Sequence, residues 1–193
     1  LNEFGCNITL ESNSINLTPS KLTSPRTIDI PGDISSAAFF IVGSIISKDS
    51  QVKIENVGLN PLRTGFIDIL KMMGASIEIS DLKTVNGEVV GNIDVESSSL
   101  EGITIPKELI ASSIDELPLI ILAASQADGK TSLRNAEELR FKESDRILSM
   151  AKMMERFNIS IDEFNDGMDI HGGIIEGNTI NSFGDHRIAM TAL

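Results

Sequence analysis

From Ile34 to Ile46 the chain is almost continuously apolar, relieved only by small residues such as Ser35, Ser36, Gly43 and Ser44. A run this long predicts a buried helix rather than a strand, with Asp33 as its N-cap. Val52 to Val57 then alternates as a half-buried strand. Leu62, Phe66, Ile69, Leu70 and Met73 recur at helical spacing behind Pro61, and Gly74 stands where such a helix stops. Ser76 to Ile79 alternates again, and Asn86-Gly87 signals a hairpin before Val89 and Val90. Upstream, Ile8 to Leu10, Ile15 to Leu17 around a turn at Asn13, and Thr27 to Ile30 read as short strands ending at Pro31-Gly32-Asp33.

The same order then returns. Asp115 precedes a second apolar helix, Leu117 to Ala124 with Pro118 in its first turn, and is read as its N-cap by analogy with Asp33. Thr131 to Ala136 answers the strand ending in Asn56-Val57. An amphipathic helix with Ile147, Met150, Ala151 and Met154 on one face ends in Lys152-Met153-Met154, as the earlier one ends in Lys71-Met72-Met73. Ile159 to Ile161 answers Ile77 to Ile79, and an Asp166-Gly167 hairpin before Met168 to Ile170 answers Asn86-Gly87. Matched positions lie 79 (Asn56 to Asn135) to 82 (Ile77 to Ile159) residues apart. That is too far for a solenoid. The expected fold is α/β (α+β), built from repeated βαβαββ units. Asp185 heads a further small-residue helix running to Leu193, and the segment from Phe4 to Leu17 resembles the tail of a preceding unit, so the repeats are expected to be incomplete at both ends. With Leu rather than Met at position 1, the chain reads as a piece of a longer protein, less stable alone than within it.

Composition narrows the possible partners. The net charge of −12 argues against nucleic acid or an anionic membrane as a partner. Eight Phe with no Trp or Tyr leave the core to aliphatic residues and Met. Cys6 stands alone, which excludes an internal disulfide and fits a reducing, cytoplasmic setting. No apolar run approaches the ~18 residues of a membrane span. Neither metal-ligand spacing nor a dinucleotide or phosphate-loop glycine motif is present, so no cofactor is expected.

Within this acidic chain Arg134, Arg140, Lys142, Arg146, Lys152 and Arg156 crowd one window. Glu137 to Ile147 alone carries four acids and three bases ahead of the amphipathic helix. If that helix starts near Ser144, Lys142 and Arg146 sit where the macrodipole is already positive, a cost unless an anion binds there. Arg187, second in the helix that Asp185 caps, repeats the mismatch, with His186 the first residue of that turn. Converging bases of this kind suit a doubly anionic small ligand such as a phosphorylated acid. Spacing alone leaves the alternatives open: a solvated charged loop with a Ser cap, His186 as an ordinary polar helix start, Asp115 as a plain N-cap. Glu143 is either a general acid or base tuned by its neighbours or a surface ion-pair partner.

Three motifs together carry a resemblance. Lys142-Glu143-Ser144-Asp145-Arg146 after Glu138-Leu139-Arg140, Asp185-His186-Arg187-Ile188-Ala189-Met190, and Pro31-Gly32-Asp33-Ile34-Ser35-Ser36-Ala37 resemble the 5-enolpyruvylshikimate-3-phosphate synthases, in that family's order and across the whole chain. The resemblance implies transfer of the enolpyruvyl group of phosphoenolpyruvate to the 5-hydroxyl of shikimate 3-phosphate, with release of phosphate and without a cofactor, in the shikimate pathway to aromatic amino acids. It implies Asp115 as the base, Glu143 as the proton donor, Lys142 on the shikimate ring hydroxyls, Arg146 and Arg187 on phosphoenolpyruvate, chiefly its carboxylate, and His186 as a neighbour. It also implies a monomeric parent of two inside-out, barrel-like domains of three units each. On that map residues 1–30 finish the first domain and residues 31–193 form the second as far as its third unit. Since the first-domain clamps and a downstream Lys of the family are absent, the chain alone is expected to be inactive. Glu138 stands where some members carry Asn, so no acceptor contact is carried over to it.

Two other readings share some of these features. A sister transferase acting on UDP-N-acetylglucosamine has the same repeats but does not resemble the sequence from Lys142 to Arg146. A non-catalytic binding module of the same fold would leave the acids and bases of the site dispensable.

Overall fold

Asp33, with extended backbone angles, accepts a hydrogen bond from the Ser36 amide, and the apolar run behind it is helix α1 (Ile34–Ile46). The computed structural model describes residues 2–25 and 27–193. After α1 come β3 (Gln51–Gly58), α2 (Gly65–Met72), β4 (Ser76–Val85) and β5 (Glu88–Glu96), the strands forming an antiparallel sheet in the order β3-β5-β4. The second copy runs through a short α3 (Lys107–Ile110), α4 (Leu117–Ala124), β6 (Lys130–Leu133), α5 (Arg146–Arg156), β7 (Ile161–Phe164) and β8 (Gly167–His171), with sheet order β6-β8-β7. Helix α6 (His186–Thr191) opens the third, and β1 (Asn7–Glu11) with β2 (Ser14–Thr18) forms a separate hairpin.

The copies agree in details that a pattern of apolar residues cannot reveal. The segment leading into each first helix bridges in parallel to the free edge of its sheet, Gly32 beside Val57 and Thr104 beside Ser132. Asn56 and Asn135 both take left-handed backbone angles (φ 58 and 59), which asparagine tolerates better than most residues. Both amphipathic helices close in a Schellman motif, Ala75 N–H on Leu70 C=O with Gly74 left-handed, and Ile159 N–H on Met154 C=O with Asn158 left-handed.

Helix α4 lies at the centre, packed against α1, α2, α5 and α6. Leu117, Leu119, Ile120, Ile121, Ala123 and Ala124 are all buried, which is why that stretch is apolar on every side. The first sheet covers these helices with one face and leaves the other largely to water, so its strands alternate; in the second, the central strand β8 is buried on both faces, with Asp169 covered by Lys130 and Arg134.

Several boundaries differ from the expected ones. Pro61 opens a turn, not the helix: Asn60 holds the Leu62 amide with its side chain and the Arg63 amide with its carbonyl, and α2 starts only at Gly65. Leu62 is consequently exposed instead of lying on the apolar face of α2. Thr27 to Ile30 forms no strand, since the parallel bridge begins only at Gly32. Ile159 completes the α5 cap, so β7 begins at Ile161, and Asn135 ends the strand register after Leu133, with its amide on Asp166. The Asn86-Gly87 turn has both residues left-handed (φ 51 and 81) as expected. In the second hairpin the turn is Asn165-Asp166, and Gly167 already pairs with Phe164. Gly167 is needed for clearance, because a β-carbon there would collide with the Leu133 carbonyl oxygen.

Gly167→Ala is therefore expected to destabilise the full-length protein by about 1–3 kcal/mol in urea unfolding. Gly177→Ala, where a β-carbon meets nothing within 4 Å, should stay close to wild type.

Candidate functional site

The starts of α1, α4, α5 and α6 meet on one side of the helix cluster, and their charged residues form a single network. Its centre is Arg146, the first residue of α5, whose side chain is 1% exposed. Its Nε donates to Asp185 Oδ2 at 2.8 Å and its Nη2 to Glu143 Oε2 at 2.6 Å, while Nη1 lies 3.4 Å from Asp115 Oδ1. Asp185 is itself 0% exposed. It caps α6 by accepting from the Arg187 amide at 2.9 Å and also takes the Ser144 hydroxyl at 3.1 Å. Burial pushes the Asp185 carboxyl up, but hydrogen bonds from Arg146, the Arg187 amide and Ser144, with the Arg146 charge, outweigh it and leave its pKa below the ordinary value.

The bases that oppose the helix dipoles are thus answered from within the chain. Helix α5 begins at Arg146, not near Ser144, because Asp145 is the N-cap and accepts from the Leu148 amide at 3.0 Å. Lys142 precedes the helix, following a 3-10 turn from Glu137 to Phe141. Its ammonium sits 2.9 Å from Glu138 Oε1 and 3.6 Å from Asp115 Oδ1. The hydrogen bond to Glu138, opposed by partial burial and helped by the charges of Asp115 and Glu138, raises the Lys142 pKa.

Asp115 does not cap α4, which corrects the analogy with Asp33 and Asp185. Those two have extended backbones that let the carboxylate fold onto the helix, with ψ of 125° and 119°. The chain reaches α4 through residues that are already helical, so the N-cap position falls to Glu116 in the αR region, without a side-chain bond. Pro118 also removes an amide that a cap would have used. The Asp115 carboxylate is left 43% exposed and faces three cations: Arg146 at 3.4 Å, Lys142 at 3.6 Å and Arg187 Nη2 at 3.6 Å. Glu143, 53% exposed, has one oxygen on Arg146. It is at once an ion-pair partner and open to solvent.

Arg187 donates from Nη1 to the Asp115 carbonyl at 2.9 Å and to Glu116 Oε1 at 3.3 Å. His186 is exposed on the first turn of α6 and takes no part in these ion pairs. Three participants escaped the sequence reading. Glu116 is buried and hydrogen-bonded by Ser35, and Ser35 accepts from Arg63, which also pairs with Asp33 at 2.9 Å. Burial raises the Glu116 pKa against the hydrogen bonds of Ser35 and Arg187. The available signal was a second acid, next to Asp115 and abutting a fully apolar run, and the assumed cap at Asp115 masked it.

Lys142, Arg146 and Arg187 are shared among Asp115, Glu138, Glu143 and Asp185. An incoming anion must therefore compete with carboxylates, and the half-exposed pair Asp115 and Glu143 is the edge that can yield. A groove of about 430 Å³ lined by Lys152, Met153, Arg156, Ile180 and Phe183 shares no residue with this cluster. Among the described residues no group of three or more His, Cys, Asp or Glu is arranged to hold a metal ion, and no helix is long and apolar enough to cross a membrane.

Comparison with known proteins gives consistent matches. The family model described as EPSP synthase (3-phosphoshikimate 1-carboxyvinyltransferase) matches residues 1–193. A 3-phosphoshikimate 1-carboxyvinyltransferase from Petrotoga mobilis is 46% identical over 99% of this chain and 45% of its own length. One from Geobacter metallireducens is 51% identical over 87% of this chain and 39% of its own length. The structure of EPSP synthase from Acinetobacter baumannii superposes with a TM-score of 0.95 at 41% identity, covering 99% of this chain and 45% of that one. The enolpyruvyl transferase NikO from Streptomyces tendae shares the fold, with a TM-score of 0.72 at 15% identity. The chain thus spans less than half the length of the relatives it matches.

Asp185→Ala would strand the buried Arg146 guanidinium, and full-length protein carrying it is expected to lose about 3–5 kcal/mol in urea unfolding at neutral pH. The Asp185 pKa is depressed in the folded state, so its stabilisation is complete above the unfolded pKa and is lost as pH falls through the folded one. The gap between wild type and variant should close in acid.

Proposed function

Because the chain belongs to the EPSP synthase family, we propose that the full-length protein transfers the enolpyruvyl group of phosphoenolpyruvate to the 5-hydroxyl of shikimate 3-phosphate and releases phosphate. The observation that carries this reading is the Asp115 carboxylate, freed from capping, with Lys142, Arg146 and Arg187 at 3.4 to 3.6 Å and Glu143 bonded to the same Arg146. The transfer needs a base, an acid and fixed cations, and no cofactor.

In this reading Asp115 takes the proton of the acceptor hydroxyl as its oxygen bonds to the central carbon of phosphoenolpyruvate, while Glu143 protonates the methylene carbon. The tetrahedral intermediate then expels phosphate, and the new methyl group returns a proton to restore the double bond. Arg146 and Arg187 hold the phosphoenolpyruvate carboxylate, and Lys142 holds the ring hydroxyls of the acceptor. Displacing Asp115 and Glu143 from their cations would couple substrate arrival to release of the acid and the base. Residues 1–30 are read as the close of a first domain and 31–193 as the second. In support, β1 and β2 form a sheet apart from the two repeat sheets.

The deciding measurement is phosphate release from phosphoenolpyruvate by the full-length protein, offered shikimate 3-phosphate or UDP-N-acetylglucosamine. Turnover is expected with the first alone; turnover only with the second would move the protein to the sister activity. Glu143→Gln is expected to lower kcat by about 10²- to 10⁴-fold while phosphoenolpyruvate still binds. An unchanged kcat would remove Glu143 as the proton donor, whereas no phosphate release with either acceptor would point to a non-catalytic module.

A further inference from the structure

One buried acid of the network has no part in the transfer as proposed. Glu116 stands among three helix starts, its Oε1 accepting from the Ser35 hydroxyl of α1 and from Arg187 Nη1 of α6 at 3.3 Å. Its side chain is 4% exposed, a costly place for a carboxylate unless its partners are well arranged. It makes no capping bond to α4, so helix formation does not explain it.

Its effect on Arg187 is geometric. Nη1 carries two N–H groups; the structure commits one to the Asp115 carbonyl at 2.9 Å and the other to Glu116. With both used, the guanidinium plane is set, and Nη2, 3.6 Å from Asp115 Oδ2, faces the half-exposed Asp115 carboxylate. Glu116 is held from behind as well. Arg63 Nη2 donates to the Ser35 hydroxyl at 2.9 Å while pairing with Asp33, so the hydroxyl proton is directed to Glu116. The run from Asp33 through Arg63, Ser35 and Glu116 to Arg187 joins the starts of the first, second and third units.

We infer that Glu116 is a positioning residue for the anionic substrate: braced by Ser35, it fixes Arg187 so that the Nη2 edge meets the carboxylate of phosphoenolpyruvate. This rests on the proposed transfer reaction and assigns a residue that the reaction scheme leaves idle. A plain structural brace behaves differently when cut. It lowers the folded fraction, so Vmax falls and neither KM moves, whereas a misaimed Arg187 raises the KM of the one substrate it holds.

The test uses full-length protein with Glu116→Ala, Glu116→Gln and Ser35→Ala, each checked for folding by urea unfolding. Glu116→Ala is expected to raise the KM for phosphoenolpyruvate about tenfold, the scale of one lost charge-assisted hydrogen bond. Glu116→Gln keeps an acceptor oxygen without the charge and should rescue most of this, leaving about a threefold rise, as should Ser35→Ala. The KM for shikimate 3-phosphate should stay within about twofold in all three. Should Glu116→Ala fail to fold, the other two carry the same test. An unchanged phosphoenolpyruvate KM in the folded variants, or an equal rise for both substrates, overturns the inference while leaving the transfer reaction standing. Unaltered protein that releases no phosphate with shikimate 3-phosphate overturns the functional reading, and the positioning role falls with it.

Discussion

The buried pair of Arg146 and Asp185 is the constraint on which the rest of the site depends. A guanidinium and a carboxylate, both removed from water, are tolerated only if each is fully partnered, and the partners here are drawn from separate units. Asp185 answers Arg146 at the start of α5, the amide of Arg187 at the start of α6, and the Ser144 hydroxyl between them. One carboxylate thus answers a buried base at the start of α5 and a backbone amide at the start of α6. With that pair closed, Arg146 can turn its remaining nitrogens outward to Asp115 and Glu143.

The site is therefore a product of packing between units. The sheets are nearly self-contained, each formed from strands within about 50 residues of sequence, whereas the network reaches from Asp33 to Arg187. Ring closure over that span costs entropy that only the docked helices offset.

What could be read from the chain divides along the same line. The repeats, the two amphipathic helices and the stop of the first at Gly74 were legible because each depends on local periodicity or on a capping glycine, while the second helix runs past Met154 to Arg156 and is closed by the less recognisable Asn158. The motifs from Lys142 to Arg146 and from Asp185 to Arg187 were legible as anomalies of charge at helix starts. The role of Asp115 in α4 was misjudged because capping needs an extended backbone, and the helical approach from α3 is a matter of conformation that spacing does not encode. Ser35 and Glu116 stayed hidden because their bond spans two units, 81 residues apart, and Arg63 because its partners Asp33 and Ser35 lie 30 and 28 residues upstream, beyond any local pattern. Gly167 was noticed as a turn residue although its reason is the approach of another strand.

The extra helical passage ahead of α4 has a longer consequence. In the first and third units the aspartate at the helix start is bound to its own backbone, and losing it would loosen that helix. In the second, α3 and the turn after it intervene between the bridging segment at Thr104 and α4, and Asp115 owes nothing to the helix that follows. The added helical turns ahead of α4 free this carboxylate from the helix backbone and leave it to the three cations around it. Its counterparts Asp33 and Asp185 stay tied to the amides of their own helices, so positions made equivalent by repetition hold different duties.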